Sequence, residues 1–414
     1  MKRLKLSTDV KVIKSKDINT LEFRLVYPIK FDKNNQPFIT FLSLFFSTSN
    51  HKIREFGAFR KEKLRKTILS LDLMQTSIVD NTYLIYCFSL PKEGIIRDFD
   101  LEDSFKFAID ALLNPACDNG EFDIEKFNYE KDYMYNNFLR SLDGIYASNS
   151  NTFFEEIDPE NELGNTHEEN GKLICSIDNK MLYDFYKKNI LDNTFIPYVY
   201  GDITESKAKK LFQKYIPQEK REVSFNINYF KPLPMKNQTY KEIVTNYNQS
   251  ELFLEYQVEM DNNELKYFSA LVNILNGSEN NLIFDALRVK NNLVYDVRLN
   301  SYSSRAMFVI IAFIPSDKYK ETKKIIKGVF DQLTDKEYLT NCLNKLIKGL
   351  EVDLLKEMDG LGKPLNDVIN NDLKINTTEE LLKKTKSIKI DDLIKFIDRV
   401  KLTNEMFFRG DKND

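Results

Sequence analysis

Histidine is nearly missing from this chain: 414 residues hold two, His51 in HKIREF and His167 in NTHEEN. A helical zinc pair needs two ligands one turn apart on one face, and neither histidine has a second at i+4 or the acid-flanked setting of a zinc peptidase motif. A Ser-His-Asp or Cys-His device would have to use one of the same two, and no G-x-S-x-G elbow accompanies them. Both fall in polar segments that read as loops, where a solvent-exposed side chain is the ordinary state. Cysteine is sparse as well. Cys87, Cys117, Cys175 and Cys342 lie far apart with no C-x-x-C pair, a spacing that suits neither a zinc ribbon nor a disulfide framework and reads as buried thiols in a reducing compartment. The thirteen glycines form no G-x-G-x-x-G and no phosphate loop. Tryptophan is absent, and with the richness in Lys, Asn and Ile this reads as codon bias rather than chemistry.

Long apolar runs are missing too. The most apolar stretch, Pro37 to Phe46 (PFITFLSLFF), is about half of a membrane span. The start, MKRLKLSTDVKVIKSKD, is basic but lacks the apolar core of a signal peptide, so a cytoplasmic protein is expected. Nor is there an excess of either charge: Lys and Arg number 60 against 63 Asp and Glu, for a net charge of −3. The basic residues are spread along the chain instead of gathering on one element, which argues against nucleic acid as a partner.

What is present is a globular composition, 42% hydrophobic and 30% charged, in a chain long enough for two domains of about 200 residues each. Two passages share a layout. LEFRLVYPIKF alternates like a strand, DKNNQ turns, and PFITFLSLFF reads as a buried helix; later ELFLEYQVEM alternates, DNNE turns, and LKYFSALVNIL is helical. Downstream, NTYLIYCFSLP and RAMFVIIAFIP are both apolar strands ending in proline. Each is followed by a charged helical stretch and then by a longer amphipathic helix, near Ile124 to Leu142 and Lys336 to Met358. A single repeat of this length means duplicated domains, since solenoid units are several-fold shorter. VYGDITESKAKKLFQKYI closes the first half. The polar, proline-bearing stretch after it reads as a linker, giving domains 1–216 and 237–414 joined by 217–236. The acidic runs FEEIDPENE and THEEN lack the spacing of a calcium loop and read as solvated.

The segment NLIFDALRVKNNLVYDVRLNSYSSRAMFVIIAFIP (Asn281 to Pro315) resembles the second domain of the insulinase/pitrilysin-type metallopeptidases, the inverzincins. That family carries F-x-x-L-R-x-x-x-x-L-x-Y-x-V there, and Phe284, Leu287, Arg288, Leu293, Tyr295 and Val297 fill those places. VYGDITESKA resembles the family's V-x-G-D strand and helix, and FNYEKDYMYNNFL its Glu-Lys helix. The resemblance spans nearly the whole chain. It implies an α+β fold of two tandem homologous domains, each a mixed β-sheet covered mainly on one face by helices, together forming half of a clamshell.

The departures matter as much as the likeness. The H-x-x-E-H positions of active members hold Phe38, Phe41 and Leu42 here, and the third ligand position, two turns beyond Glu130-Lys131, holds Asn137. Loss of all the ligands together implies no metal in this chain and no peptidase activity from it alone. Arg288 and Tyr295 remain. In the family an Arg and a Tyr at this spacing face the zinc site of the opposing domain and stabilise the oxyanion. Amide hydrolysis builds negative charge on the carbonyl oxygen, and preorganised donors must meet it. A phenol and a guanidinium that keeps its charge suit that task.

The resemblance therefore implies a non-catalytic subunit of a heterodimeric zinc peptidase, with Arg288 and Tyr295 acting in trans. A homologous zinc-bearing sister subunit would be its partner and peptides its substrate. Short bacterial relatives of this type suggest leader-peptide maturation as the setting. The rival expectation is an inert peptide-binding or assembly-core protein of the same fold.

Overall fold

The computed structural model describes residues 2–6, 9–30, 32–78, 81–142, 145–159, 165–216, 223–227, 230–277, 280–358, 363–373 and 377–411. The first five-stranded sheet is built from β1 (Lys11–Lys14), β2 (Thr20–Lys30), β3 (Ser70–Ile78), β4 (Asn81–Pro91) and β5 (Ile196–Gly201), in the order β1-β5-β2-β4-β3. The second comprises β6 (Thr239–Thr245), β7 (Ser250–Gln257), β8 (Asp296–Tyr302), β9 (Met307–Ile314) and β10 (Lys401–Gly410), in the order β6-β10-β7-β9-β8. The two orders are the same. So are the directions, since in each sheet one edge pair is parallel (β1 with β5, β6 with β10) and every other pair is antiparallel. The duplication read from the sequence is thus a duplicated topology.

The two aspartate turns hold equivalent places, each between the central strand and the following helix. Asp32 accepts from the backbone N–H of Asn34 through its side chain and from that of Asn35 through its carbonyl. Asp261 accepts from the N–H groups of Asn263 and Glu264, and Glu264 returns a bond to the Asp261 N–H, closing a capping box. Short side chains that bond to nearby backbone favour such turns. The glycine of Val199-Tyr200-Gly201-Asp202 is demanded by geometry: its φ is +136°, and a Cβ there would lie 2.6 Å from the carbonyl oxygen of Thr20.

In the first unit the helices α1 (Asn35–Thr48) and α2 (Ile124–Leu142), with Leu101–Leu113 and Glu205–Tyr215, contribute to a core with one face of the sheet. Leu21, Phe23, Leu25 and Tyr27 of β2 alternate onto that face. The second unit repeats this with Leu252, Leu254 and Tyr256 of β7 and with α4 (Leu265–Asn276), the helix after the Asp261 turn.

Two helices depart from a division at one point in the sequence. α3 (Ile145–Ile157) comes from the first half yet belongs to the second compact unit, while α5 (Lys363–Leu373) comes from the second half and belongs to the first. Asp372 of α5 accepts from Tyr198 Oη (2.7 Å) and pairs with Lys11 (2.5 Å), and Asn366 accepts from Arg24 (2.6 Å). On α3, the Phe153 ring packs 5.0 Å from that of Phe253, and Asn149 donates to Glu251 (3.0 Å). The expectation of domains 1–216 and 237–414 is corrected accordingly, because an amphipathic helix carries no label for the sheet it covers. The linker expected at 217–236 is corrected too. Val223–Ile227 pairs antiparallel with Lys2–Leu6, because Val223, Phe225 and Ile227 alternate with polar residues. Residues 217–222 and 228–229 of that linker lie outside the described residues.

The second face of β7 is unusually polar for a buried surface, with Glu251 and Glu255 at 2% and 0% exposure. Gln257 donates to Glu255 Oε1 (2.9 Å), but Oε2 accepts no hydrogen bond among the described residues. Burial raises the Glu255 carboxyl above the usual carboxylate range despite Thr403, Gln257 and the charge of Lys236. A folded-state value above the unfolded one means stability that is present below the unfolded value, near 4.5, and is lost as pH rises through the folded one. Glu255→Gln removes that titration. The gap in urea-unfolding free energy between variant and parent should therefore shift in the variant's favour from pH 4 upward. Parallel pH profiles would refute the assignment.

Candidate functional site

On α1 the residues Phe38, Ile39, Phe41, Leu42, Phe45 and Phe46 follow helical spacing and are all buried. Phe41 stacks on Phe127 of α2, with centroids 5.5 Å apart and planes within 9°. Phe38 stacks on Phe185 at 5.0 Å. The three motif positions, two for zinc ligands and one for the acid beside them, are therefore core hydrocarbon without a donor atom. Asn137 on α2 is half-buried, and the neighbouring acid, Glu130, is buried and paired with Lys126 at 3.3 Å. Lys131 is committed as well, donating to the carbonyls of Cys175 and Ile177. These residues do not fit a zinc ion, whose ligands must be imidazole, thiolate or carboxylate. Among the described residues no group of three or more His, Cys, Asp or Glu could hold a metal. His51 lies exposed beside the Asn114 carbonyl, and His167 begins the helix His167–Ser176.

The second unit brings Arg288 and Tyr295 together. Asn281 adopts a left-handed conformation, with φ 37°. After it come a helical turn, Leu282–Phe284, and a π-helical turn, Asp285–Lys290. Such π-turns are rare and are often found at functional sites. The chain then reverses through Asn292, also left-handed at φ 48°, while the Leu293 N–H donates to the Leu287 carbonyl. Leu287, Leu293, Val294 and Val297 are buried and anchor the loop. Tyr295 donates its N–H to the Phe313 carbonyl, yet its side chain stands 77% exposed at the head of β8.

Arg288 turns back along the same loop, its Nη1 donating to the Val294 carbonyl (2.7 Å) and to Asn292 Oδ1 (3.3 Å). The guanidinium is thus fixed one residue from Tyr295. Two of its five donor hydrogens suffice for those contacts. The donors this loop leaves over, on apolar anchors at Leu287, Leu293, Val294 and Val297, are the exposed Tyr295 hydroxyl and the remaining hydrogens of the Arg288 guanidinium. The sequence frame placed both residues; it gave no sign of the π-helical turn that aims Arg288 at Val294.

Residues 176–346 match the family model described as Peptidase M16 inactive domain. No curated protein matches the chain. Among solved structures, a conserved protein from Enterococcus faecalis V583 superposes with a TM-score of 0.80 at 16% identity, covering 99% of this chain and 100% of that one. A protease from Helicobacter pylori gives 0.71 at 14% identity, over 99% and 100% of the two chains. A peptidase M16 inactive domain from Pseudomonas fluorescens gives 0.66 at 13%, over 100% and 99%. At these identities the structural likeness is one of fold.

Proposed function

We propose that this chain, a non-catalytic protein of the peptidase M16 type, is one subunit of a two-chain zinc peptidase and donates Arg288 and Tyr295 to a site completed by a homologous sister. The observation that carries this reading is the loop geometry: Tyr295 projects into solvent while the guanidinium of Arg288 is anchored on the adjoining Val294 carbonyl. An isolated surface tyrosine needs no such support, whereas donors to a developing oxyanion do need preorganisation. The metal and its bound water would belong to the sister, since Phe38, Phe41 and Leu42 leave this chain without ligands. The substrate in this reading is a peptide in an extended conformation, such as a leader segment, and the assembly works in the cytoplasm.

The test is reconstitution with a zinc-bearing M16 sister chain. Alone, this chain should not hydrolyse a fluorogenic peptide. Added to the sister, it should raise hydrolysis well above the sister's own rate. A sister that is fully active by itself and unaffected by added chain would favour the inert assembly-core reading instead.

A further inference from the structure

Resting on the shared-site reading, we infer that Arg298 is a positioning residue for Tyr295, clamping the head of β8 onto β9. The Tyr295 phenol stands out into solvent, so its place is set through its backbone. That backbone is tied by its N–H to the Phe313 carbonyl (3.0 Å). The next residue, Asp296, sits directly opposite Phe313 across the strand pair, and Glu251 of β7 sits opposite Phe313 on its other side. Residues directly opposite one another share a face of the sheet. The Phe313 ring therefore lies between two carboxylates, and Arg298, two residues beyond Asp296, projects from the same face.

Arg298 reaches back over that row. Its guanidinium carbon lies 5.2 Å from the centre of the Phe313 ring, and its Nε donates to Asp296 Oδ2 (3.0 Å). The other oxygen of Asp296 accepts from the Val297 N–H (2.9 Å), which holds the carboxylate in place. The charge of Arg298 reaches Glu251 as well, whose carboxyl is raised by burial and lowered by Asn149 and Arg298. One exposed side chain thus grips both the residue after Tyr295 and the residue whose carbonyl holds Tyr295. A planar guanidinium can stack on a ring while it bonds a carboxylate, a fit that lysine, a point charge, lacks. Each contact is weak by itself at an exposed position. Their effect comes from acting together on two strands at the point where the phenol leaves the sheet. A donor that meets charge only in the transition state has to be held in place before the charge arrives.

Two measurements test this, and the first needs no sister chain. Arg298 is exposed, so Arg298→Ala empties no core space. In the free chain the Tyr295 amide hydrogen should exchange about fivefold to tenfold faster in that variant, because its bond opens more often, while the amides of Val309 to Ile311 in β9 keep their protection. Equal exchange at Tyr295 would overturn the clamp. In the two-chain assay Arg298→Ala should lower kcat about tenfold and leave KM unchanged, the pattern of a misplaced group that acts only in the transition state. In a Tyr295→Phe background the same change should do almost nothing, since no hydroxyl is left to place. Equal losses in both backgrounds would mean that Arg298 acts elsewhere, on substrate or on folding, and would overturn the inference, as would full activity in Arg298→Ala. A parent chain that leaves the sister's rate unchanged overturns the shared site and this role together, and is told apart from the other failures because it needs no variant.

Discussion

Tyr295→Phe should lower turnover of the assembled two-chain peptidase by ~10²–10³, the usual cost of removing one oxyanion donor, and leave assembly intact. The side chain is 77% exposed, and the hydrogen bond that ties this residue to the sheet runs through its backbone N–H to Phe313. Deleting one oxygen therefore disturbs neither the core nor the start of β8, and the loss should sit in kcat. Arg288→Ala differs in kind. It removes the guanidinium that donates to the Val294 carbonyl and Asn292, so it should loosen the loop as well as withdraw a charge. KM should then rise along with the fall in kcat. Steady-state kinetics of the two variants, with co-purification as the control for assembly, separates these outcomes. Unchanged kcat in the Tyr295→Phe complex would leave the exposed phenol without a catalytic role.

Phe41→Ala should destabilise the first unit by about 3–5 kcal/mol, the range for emptying a phenylalanine site in a packed core. Phe41 is fully buried and stacked on Phe127. The same packing bears on any attempt to rebuild the metal site. Phe38→His, Phe41→Glu and Leu42→His together would place an unpaired carboxylate and two imidazoles against Phe127 and Phe185. Without a third ligand at Asn137, the burial cost has no metal to offset it. The triple variant should be unfolded or aggregated in urea titration and gel filtration, and elemental analysis of the dialysed parent should find no stoichiometric zinc. A folded triple variant of parental stability that takes up zinc would show that the site was merely substituted and not rebuilt as core.

Much of this fold was legible because its periodicities are clean. The alternation in LEFRLVYPIKF and ELFLEYQVEM fixed the two central strands, and the aspartate turns after them fixed the repeat. Long helices were equally plain, and Ile124–Leu142 and Lys336–Met358 fall where the amphipathic pattern put them. The exchange of α3 and α5 was not legible. Asn149, Phe153 and Ile157 mark a buried stripe, but nothing local says that the stripe meets Glu251 and Phe253 of the second sheet. Val223–Ile227 was hidden for another reason, being a strand of five residues inside a polar stretch. At the site, Arg288 and Tyr295 stood out only within the Leu287-to-Val297 frame.

The measurement closest to the central claim is the peptide-hydrolysis rate of a zinc-bearing sister chain under three conditions: alone, with this chain, and with its Tyr295→Phe variant. The account predicts a low rate alone, a much higher rate with the parent chain, and a return to near the low rate with the variant despite equal binding. Full activity in the sister alone, or equal stimulation by parent and variant, would contradict it.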